Sequence, residues 1–244
     1  MDIIKQTKLS VNINKLATLR NARGGNNPDI LAMAKKIESY GAQGITIHPR
    51  PDQRHIRFDD VFALKDIVTT EFNIEGYPSK DFIDMVLSVK PDQVTLVPDP
   101  PHVLTSNTGW DTINQSSFLS EVVTTFKAAN IRCSIFLNPE PNLLEAAAKV
   151  NCDRIELYTE AYASAFHTHP HTAIAPYIET AKLATTMGLG VNAGHDLDLH
   201  NLNYFAKHIE GLLEVSIGHA LICDALEYGM SNTVKLYLNA LKVQ

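Results

Sequence analysis

The stretch Gly44 to His55, GITIHPRPDQRH, decides how the rest of the chain is read. Ile45-Thr46-Ile47-His48 has strand character and runs straight into Pro49, Arg50, Pro51, Asp52, Gln53, Arg54 and His55. Pro49 disfavours helical dihedrals at the residue before it, which places His48 extended at the very end of its strand. Pro51 stiffens the turn that follows, and Arg50, Arg54 and His55 add cationic or titratable donors just beyond. Taken alone, the stretch would also fit a solvated basic loop after a core strand. The other strands decide between the two, because many of them end the same way.

Outward from this stretch, short β-rich runs alternate with longer amphipathic ones. Strands are expected at Leu9–Ile13, Ile45–His48, Phe72–Glu75, Gln93–Val97, Ile131–Leu137, Arg154–Tyr158, Gly190–Asn192 and Leu213–Ile217. Helices are expected from Pro28-Asp29 to Tyr40, over Phe58–Thr70, and from an N-cap at Ser79 to Val89. Further helices are expected at Gln115–Ala129, Pro139–Val150, Thr172–Met187 and Leu199–His208, and the rest, Ala220 to Leu241, reads as helical. Leu19 to Gly25 reads as an Arg-rich loop. The segment VPDPPHVLTSNTGW, residues 97–110, has no clear period, and a connection that long is usually functional, such as a lid. Eight strand–helix units in succession favour a parallel sheet that closes as a (β/α)₈ TIM barrel of the α/β class, one domain over residues 1–244. No composition shift, charge block or linker splits the chain. A doubly wound open sheet is the alternative, but no GxGxxG or GxxxxGK(S/T) follows any strand.

The chain has 244 residues, 45% of them hydrophobic, and a formal net charge of −6. Its mean hydropathy lies near zero and its pI near 5.9. This is the composition of a soluble globule and lacks the basic footprint of non-specific nucleic-acid binding. No apolar run approaches the roughly 18 residues of a membrane span. The start, MDIIKQTKLS, has neither a hydrophobic core region nor a small-residue cleavage site, which points away from export and towards the cytoplasm. Cys133, Cys152 and Cys223 lie in apolar segments and read as buried thiols of a reducing compartment. The cluster His167-Thr168-His169-Pro170-His171 falls in a loop, without the ordered partners a metal site needs, and no metal is expected there.

In such barrels the chemistry sits at the C-terminal ends of the strands. Those ends carry Asn12 and Asn14, His48 and Arg50, Glu75, Thr95, Asn138, Glu156, Asn192 with His195, and Gly218 with His219. Carboxylates and histidines converging on one rim are a far stronger signal than any one of them. Glu75 in FNIEGY and Glu156 in RIELYT read as general acid/base groups whose acidity a pocket can tune. Carboxylates satisfied by a neighbouring arginine are the plainer alternative. His195 follows Val191-Asn192-Ala193-Gly194, small residues that let a strand end approach a ligand closely. Gly218-His219 opens a helix after the eighth strand, where free N–H groups and the helix dipole suit a phosphate. Arg20 and Arg23 could face the same rim or be solvated. The sole lysine near a strand end is Lys15, which argues against a Schiff-base aldolase.

The motifs VNINKLATLRNARG, GITIHPRPDQRHI, NIEG, the Thr105 lid, IELYTEAYA, VNAGH and SIGHALI resemble the pyridoxine 5′-phosphate synthase family of deoxyxylulose-dependent vitamin B6 biosynthesis. The match covers nearly the whole chain, in order. The resemblance implies a barrel that assembles into an octamer and needs no metal or organic cofactor. It implies a ring-forming condensation of 3-amino-2-oxopropyl phosphate with 1-deoxy-D-xylulose 5-phosphate, giving pyridoxine 5′-phosphate, phosphate and water. By matching motif, His48 and Glu75 would be proton acceptors, His195 a proton donor, and Glu156 would stabilise a transition state. Arg50, His55 and Thr105 would hold the deoxyxylulose phosphate; Asn12, Arg23, Gly218 and His219 would hold the amino-ketone phosphate. The chain departs from the family's Asp-His at Asn14-Lys15, positions that help bind the deoxyxylulose phosphate. It also departs from a Gly at Asp196, where a backbone contact to substrate is the expectation. Other readings are a phosphosugar isomerase or epimerase using Glu75 with His48, which would need one phosphate site, and a non-catalytic phosphometabolite-binding barrel.

Overall fold

A computed structural model describes residues 6–99 and 108–242. The strands are β1 (Lys8–Asn12), β2 (Gly44–Ile47), β3 (Glu71–Gly76), β4 (Gln93–Leu96), β5 (Arg132–Leu137), β6 (Arg154–Leu157), β7 (Gly190–Gly194) and β8 (Leu212–Ile217). They pair in sequence order, all parallel, and β8 returns to β1, so the barrel is closed. Around it run α1 (Asn14–Asn21), α2 (Ile30–Ser39), α3 (Phe58–Ile67), α4 (Lys80–Val89), α5 (Ser116–Ala128) and α6 (Pro141–Lys149). The ring continues with α7 (Glu160–Phe166), α8 (Pro170–Thr186), α9 (Leu202–His208), α10 (His219–Tyr228) and α11 (Met230–Ala240). Among the described residues no helix is long and apolar enough to cross a membrane.

The strands largely alternate, and that alternation positions the site. One set of side chains, including Leu9, Val11, Ile45, Ile47, Ile74, Ile135 and Ile217, is fully buried in the apolar core. The other set is mostly polar, with Phe136 of β5 an exception, and meets across the interior. Ser10 Oγ lies 2.7 Å from Thr46 Oγ1, and Asn73 Nδ2 donates to Thr46 Oγ1 at 3.3 Å. Across the interior, between strands that are not neighbours, Thr95 of β4 reaches Glu156 of β6, and Ser216 of β8 reaches Glu75 of β3. At the amino end of the strands, Glu71 pairs with Lys8 and Arg132, while Arg154 lies 3.5 Å from Glu214. Barrel interiors are commonly filled by branched aliphatic residues; this one is filled by hydrogen bonds and ion pairs.

Four expectations need correcting. Leu19 to Asn21 is the last turn of α1 and not loop, because Leu16, Ala17 and Arg20 turn to one buried face. The chain before α8, expected as a His-rich loop, contains α7, which Tyr162 anchors against the rings of Tyr177 and Phe205. Cys133 and Cys152 are buried as expected, but Cys223 is exposed, since α10 turns Leu221 and Ile222 inward and presents the next residue to solvent. The expected C-terminal helix breaks at Gly229 (φ 74°) into α10 and α11.

Arg20 is 1% exposed. Its guanidinium donates to both Asp60 oxygens, at 2.7 and 2.8 Å, and to the His55 carbonyl at 3.1 Å. It therefore ties α1 and α3 to the segment after β2 and does not face the rim. Arg20→Met leaves Asp60 without its charge partner and should cost about 3 kcal/mol in urea denaturation, the scale for breaking a buried pair. A loss below about 1 kcal/mol, the scale of a surface pair, would contradict this account.

Candidate active site

His48 follows β2, and its backbone N–H donates to Asn14 Oδ1 at 2.9 Å. The Asn14 N–H in turn donates to Asn12 Oδ1 at 3.1 Å, and Asn12 Nδ2 donates to Glu75 Oε2 at 3.2 Å. Ser216 Oγ donates to the other Glu75 oxygen at 3.3 Å. A short relay of polar groups thus fixes the His48 backbone and the Glu75 carboxylate relative to each other. Asn14 needs only its acceptor oxygen for this, which an aspartate would also supply. Lys15 is exposed, and its charge reaches His55.

The turn after His48 closes through the Gln53 N–H onto the Arg50 carbonyl at 2.9 Å. It brings His55 back to His48, ring centroids 6.2 Å apart. Arg50 is buried and lies 3.3 Å from Asp99. Asp99, a carboxylate three residues beyond β4 in VPDP, joins the expected residues at this mouth through its contact with Arg50. Burial pushes the His48 imidazole well below the usual histidine range, and the charges of Arg50, His55, Arg54 and His195 push the same way. Burial, then Arg50, Lys15 and Arg54, brings His55 down to about 4. Both rings are therefore neutral at pH 7.

The carboxylates move in the opposite sense. Burial raises Glu75 to about 7 against the pull of His195, Ser216 and Arg50. Burial raises Glu156 well above the carboxylate range, and the charges of Glu75 and Glu214 add to it. Thr95 Oγ1 lies 3.4 Å from Glu156 Oε2. His195 follows β7 with φ 39°, and its ring sits 5.6 Å from that of Tyr158. A Cβ at Gly194 would run into the Ser216 carbonyl, so only glycine lets β7 approach β8 here. Burial opposes charge on His195, but Asp196, Glu75 and Asp99 outweigh it and raise the imidazole above its ordinary value. The Asp196 side chain lies on Nδ1 of that ring, at 2.9 Å.

Gly218 caps α10 where β8 ends, packed against Asn12, and His219 opens the helix at the surface. Arg23 is exposed beyond the end of α1. Thr105 and most of the expected lid lie outside the described residues. A cavity of about 310 Å³ opens beside His48, Arg50 and Asp99. Among the described residues no group of three or more His, Cys, Asp or Glu side chains could hold a metal ion.

Four groups at one barrel mouth have their pKa values driven apart, that of the His48 imidazole downward and those of Glu75, Glu156 and His195 upward. Such separation is the pattern by which acids and bases are told apart, and here it falls at the mouth of a (β/α)₈ barrel. Comparison with known proteins makes the class particular. The family model described as "Pyridoxal phosphate biosynthesis protein PdxJ" matches residues 9–243, and the chain belongs to that family. It is 62% identical to the pyridoxine 5′-phosphate synthase of Cytophaga hutchinsonii, over 97% of this chain and 99% of that protein. It is 59% identical to the synthase of Phocaeicola vulgatus over the same shares of each. Among solved structures, a tryptophan synthase from M. tuberculosis shares the fold with a TM-score of 0.69 at 9% identity, covering 98% of this chain and 94% of that one. Phosphoribosylanthranilate isomerase from Thermotoga maritima does so with a TM-score of 0.61 at 12% identity, covering 96% and 98%.

The raised pKa of Glu75 has a consequence for stability. A carboxyl that ionises near 7 in the fold but near 4.5 when unfolded costs the folded state stability as pH climbs through that window. Below the window the cost vanishes. Glu75→Gln removes it, so denaturation midpoints should shift in favour of the variant between about pH 4 and about pH 8. A difference from wild type that stays constant across that range would show that Glu75 ionises normally.

Proposed function

We propose that the protein is a pyridoxine 5′-phosphate synthase, condensing 3-amino-2-oxopropyl phosphate with 1-deoxy-D-xylulose 5-phosphate to pyridoxine 5′-phosphate, phosphate and water. Membership of the PdxJ family supports the reaction, and the opposed acidities around one mouth support the assignment of roles. Building the ring requires a C–N and a C–C bond, with water and phosphate leaving, and each event moves protons. His48, neutral at pH 7, and Glu75, balanced near 7, serve as acceptors. His195, whose imidazole neighbouring carboxylates favour in its protonated form, serves as donor. Glu156 keeps its own proton and offers a hydrogen bond to charge that develops above it.

Two anionic substrates need two anion sites. In this reading Arg50 and His55, with Asn14 and Lys15, serve one, to which the family resemblance adds Thr105; the α10 N-terminus at Gly218 and His219, with Asn12 and Arg23, serves the other. Free N–H groups at a helix start favour phosphate there. Asn12 serves both ends of the chemistry, since it also holds Glu75. In this reading the whole chain is one barrel domain that works as an octamer in the cytoplasm.

Incubating purified protein with both substrates should give pyridoxine 5′-phosphate, detected by mass and absorbance. Conversion of one phosphosugar alone, with no condensation product, would contradict the proposal. Glu75→Gln should lower kcat by about 10²–10⁴-fold, the usual share of one positioned acid or base. Its affinity for the substrates should change little, because the anion sites do not include Glu75. Full turnover in that variant would remove Glu75 from the chemistry.

A further inference from the structure

His195 is held in an uncommon way. Its φ of 39° lies in the left-handed region, which a residue with a side chain rarely adopts. Backbone contacts fix it there. The His195 N–H donates to the Ser216 carbonyl at 3.2 Å, and the next N–H, that of Asp196, donates to Thr159 Oγ1 at 3.1 Å. Thr159 is buried, and its hydroxyl donates to the Gly194 carbonyl. Asn201 Nδ2 donates to the Asp196 carbonyl at 3.3 Å. The turn built this way sends the Asp196 carboxylate back onto the ring before it, with Oδ2 2.9 Å from Nδ1.

We propose that Asp196 is the positioning residue of His195: its carboxylate keeps Nδ1 as the protonated nitrogen, so that Nε2 is the atom that hands a proton to substrate. The part about substrate rests on the synthase reading; the part about the ring does not. Several groups face this imidazole besides Asp196: His48 from the end of β2, Glu75 from β3, Asp99 from after β4, and the Tyr158 ring from the end of β6. Among the carboxylates, Asp196 acts most strongly on the ring, ahead of Glu75 and Asp99, and opposes the effect of burial. With its charge committed to an imidazolium, Asp196 forms a neutral pair. A carboxylate beside two anionic substrates would otherwise repel them.

The test is a pH titration of full-length protein carrying ¹⁵N-labelled histidine, with His195→Gln identifying the His195 signals. In the wild type, the neutral His195 ring should carry its proton on Nδ1. Asp196→Asn should lower the His195 titration midpoint by about one unit, the low end for an opposite charge at this distance, since both side chains are partly exposed. Asp196→Glu should restore most of that unit. The alkaline limb of the kcat profile should move down by the same amount in Asp196→Asn. An unchanged midpoint in Asp196→Asn, or a wild-type ring protonated on Nε2, would overturn the proposal. The titration needs no turnover, so a protein that makes no pyridoxine 5′-phosphate yet shows these shifts would refute the synthase reading and leave the role of Asp196 standing.

Discussion

Two carboxylates placed inside a closed ring of strands cannot ionise there as they would in water, and the site depends on that constraint. Burial penalises the charge of Glu75 and Glu156 alike, and ionised Glu75 makes it harder still for Glu156. The result is a carboxylic acid that keeps its proton beside a carboxyl that can exchange one near neutral pH. The same burial acts with opposite sign on imidazoles. It keeps His48 neutral, because cations surround it, but fails at His195, which carboxylates surround.

What makes such an interior tolerable is the prevailing alternation of the strands. Each strand gives its apolar residues to the core beneath the helices and its polar residues to the barrel axis. Buried polar groups are costly unless partnered. Here Ser10, Thr46, Asn73, Thr95 and Glu156 are linked in a connected series from β1 to β6. Asn12 and Ser216 do the same for Glu75 from β1 and β8. The fold therefore supplies both the low-dielectric surroundings that shift the acidities and the hydrogen bonds that hold the groups in place.

Much of this could be read in the sequence, for definite reasons. Gly44 and Pro49 bracket β2 so closely that its end, and His48 with it, could be placed from local dihedral preferences alone. Glu75, Glu156 and His195 were legible because each interrupts or ends an apolar run. The partnerships were not legible. Arg20 reads as a surface or rim arginine until its contact with Asp60, 40 residues away, is seen. Asp99 becomes a partner of Arg50 only when β2 and the chain after β4 converge at the mouth. α1 and α7 escaped for a related reason: their buried faces are short and include Arg20 and Tyr162, which a search for aliphatic periodicity does not count.

The central claim is that the barrel splits the acidities of Glu75 and Glu156 from those of free carboxyls. A ¹³C-carboxyl titration of glutamate-labelled protein, with single Gln variants to assign the two signals, measures this directly. The account predicts that Glu75 changes protonation near 7 and that Glu156 is still protonated there. Two carboxyls that both ionise near 4.5, the ordinary glutamate value, would contradict it.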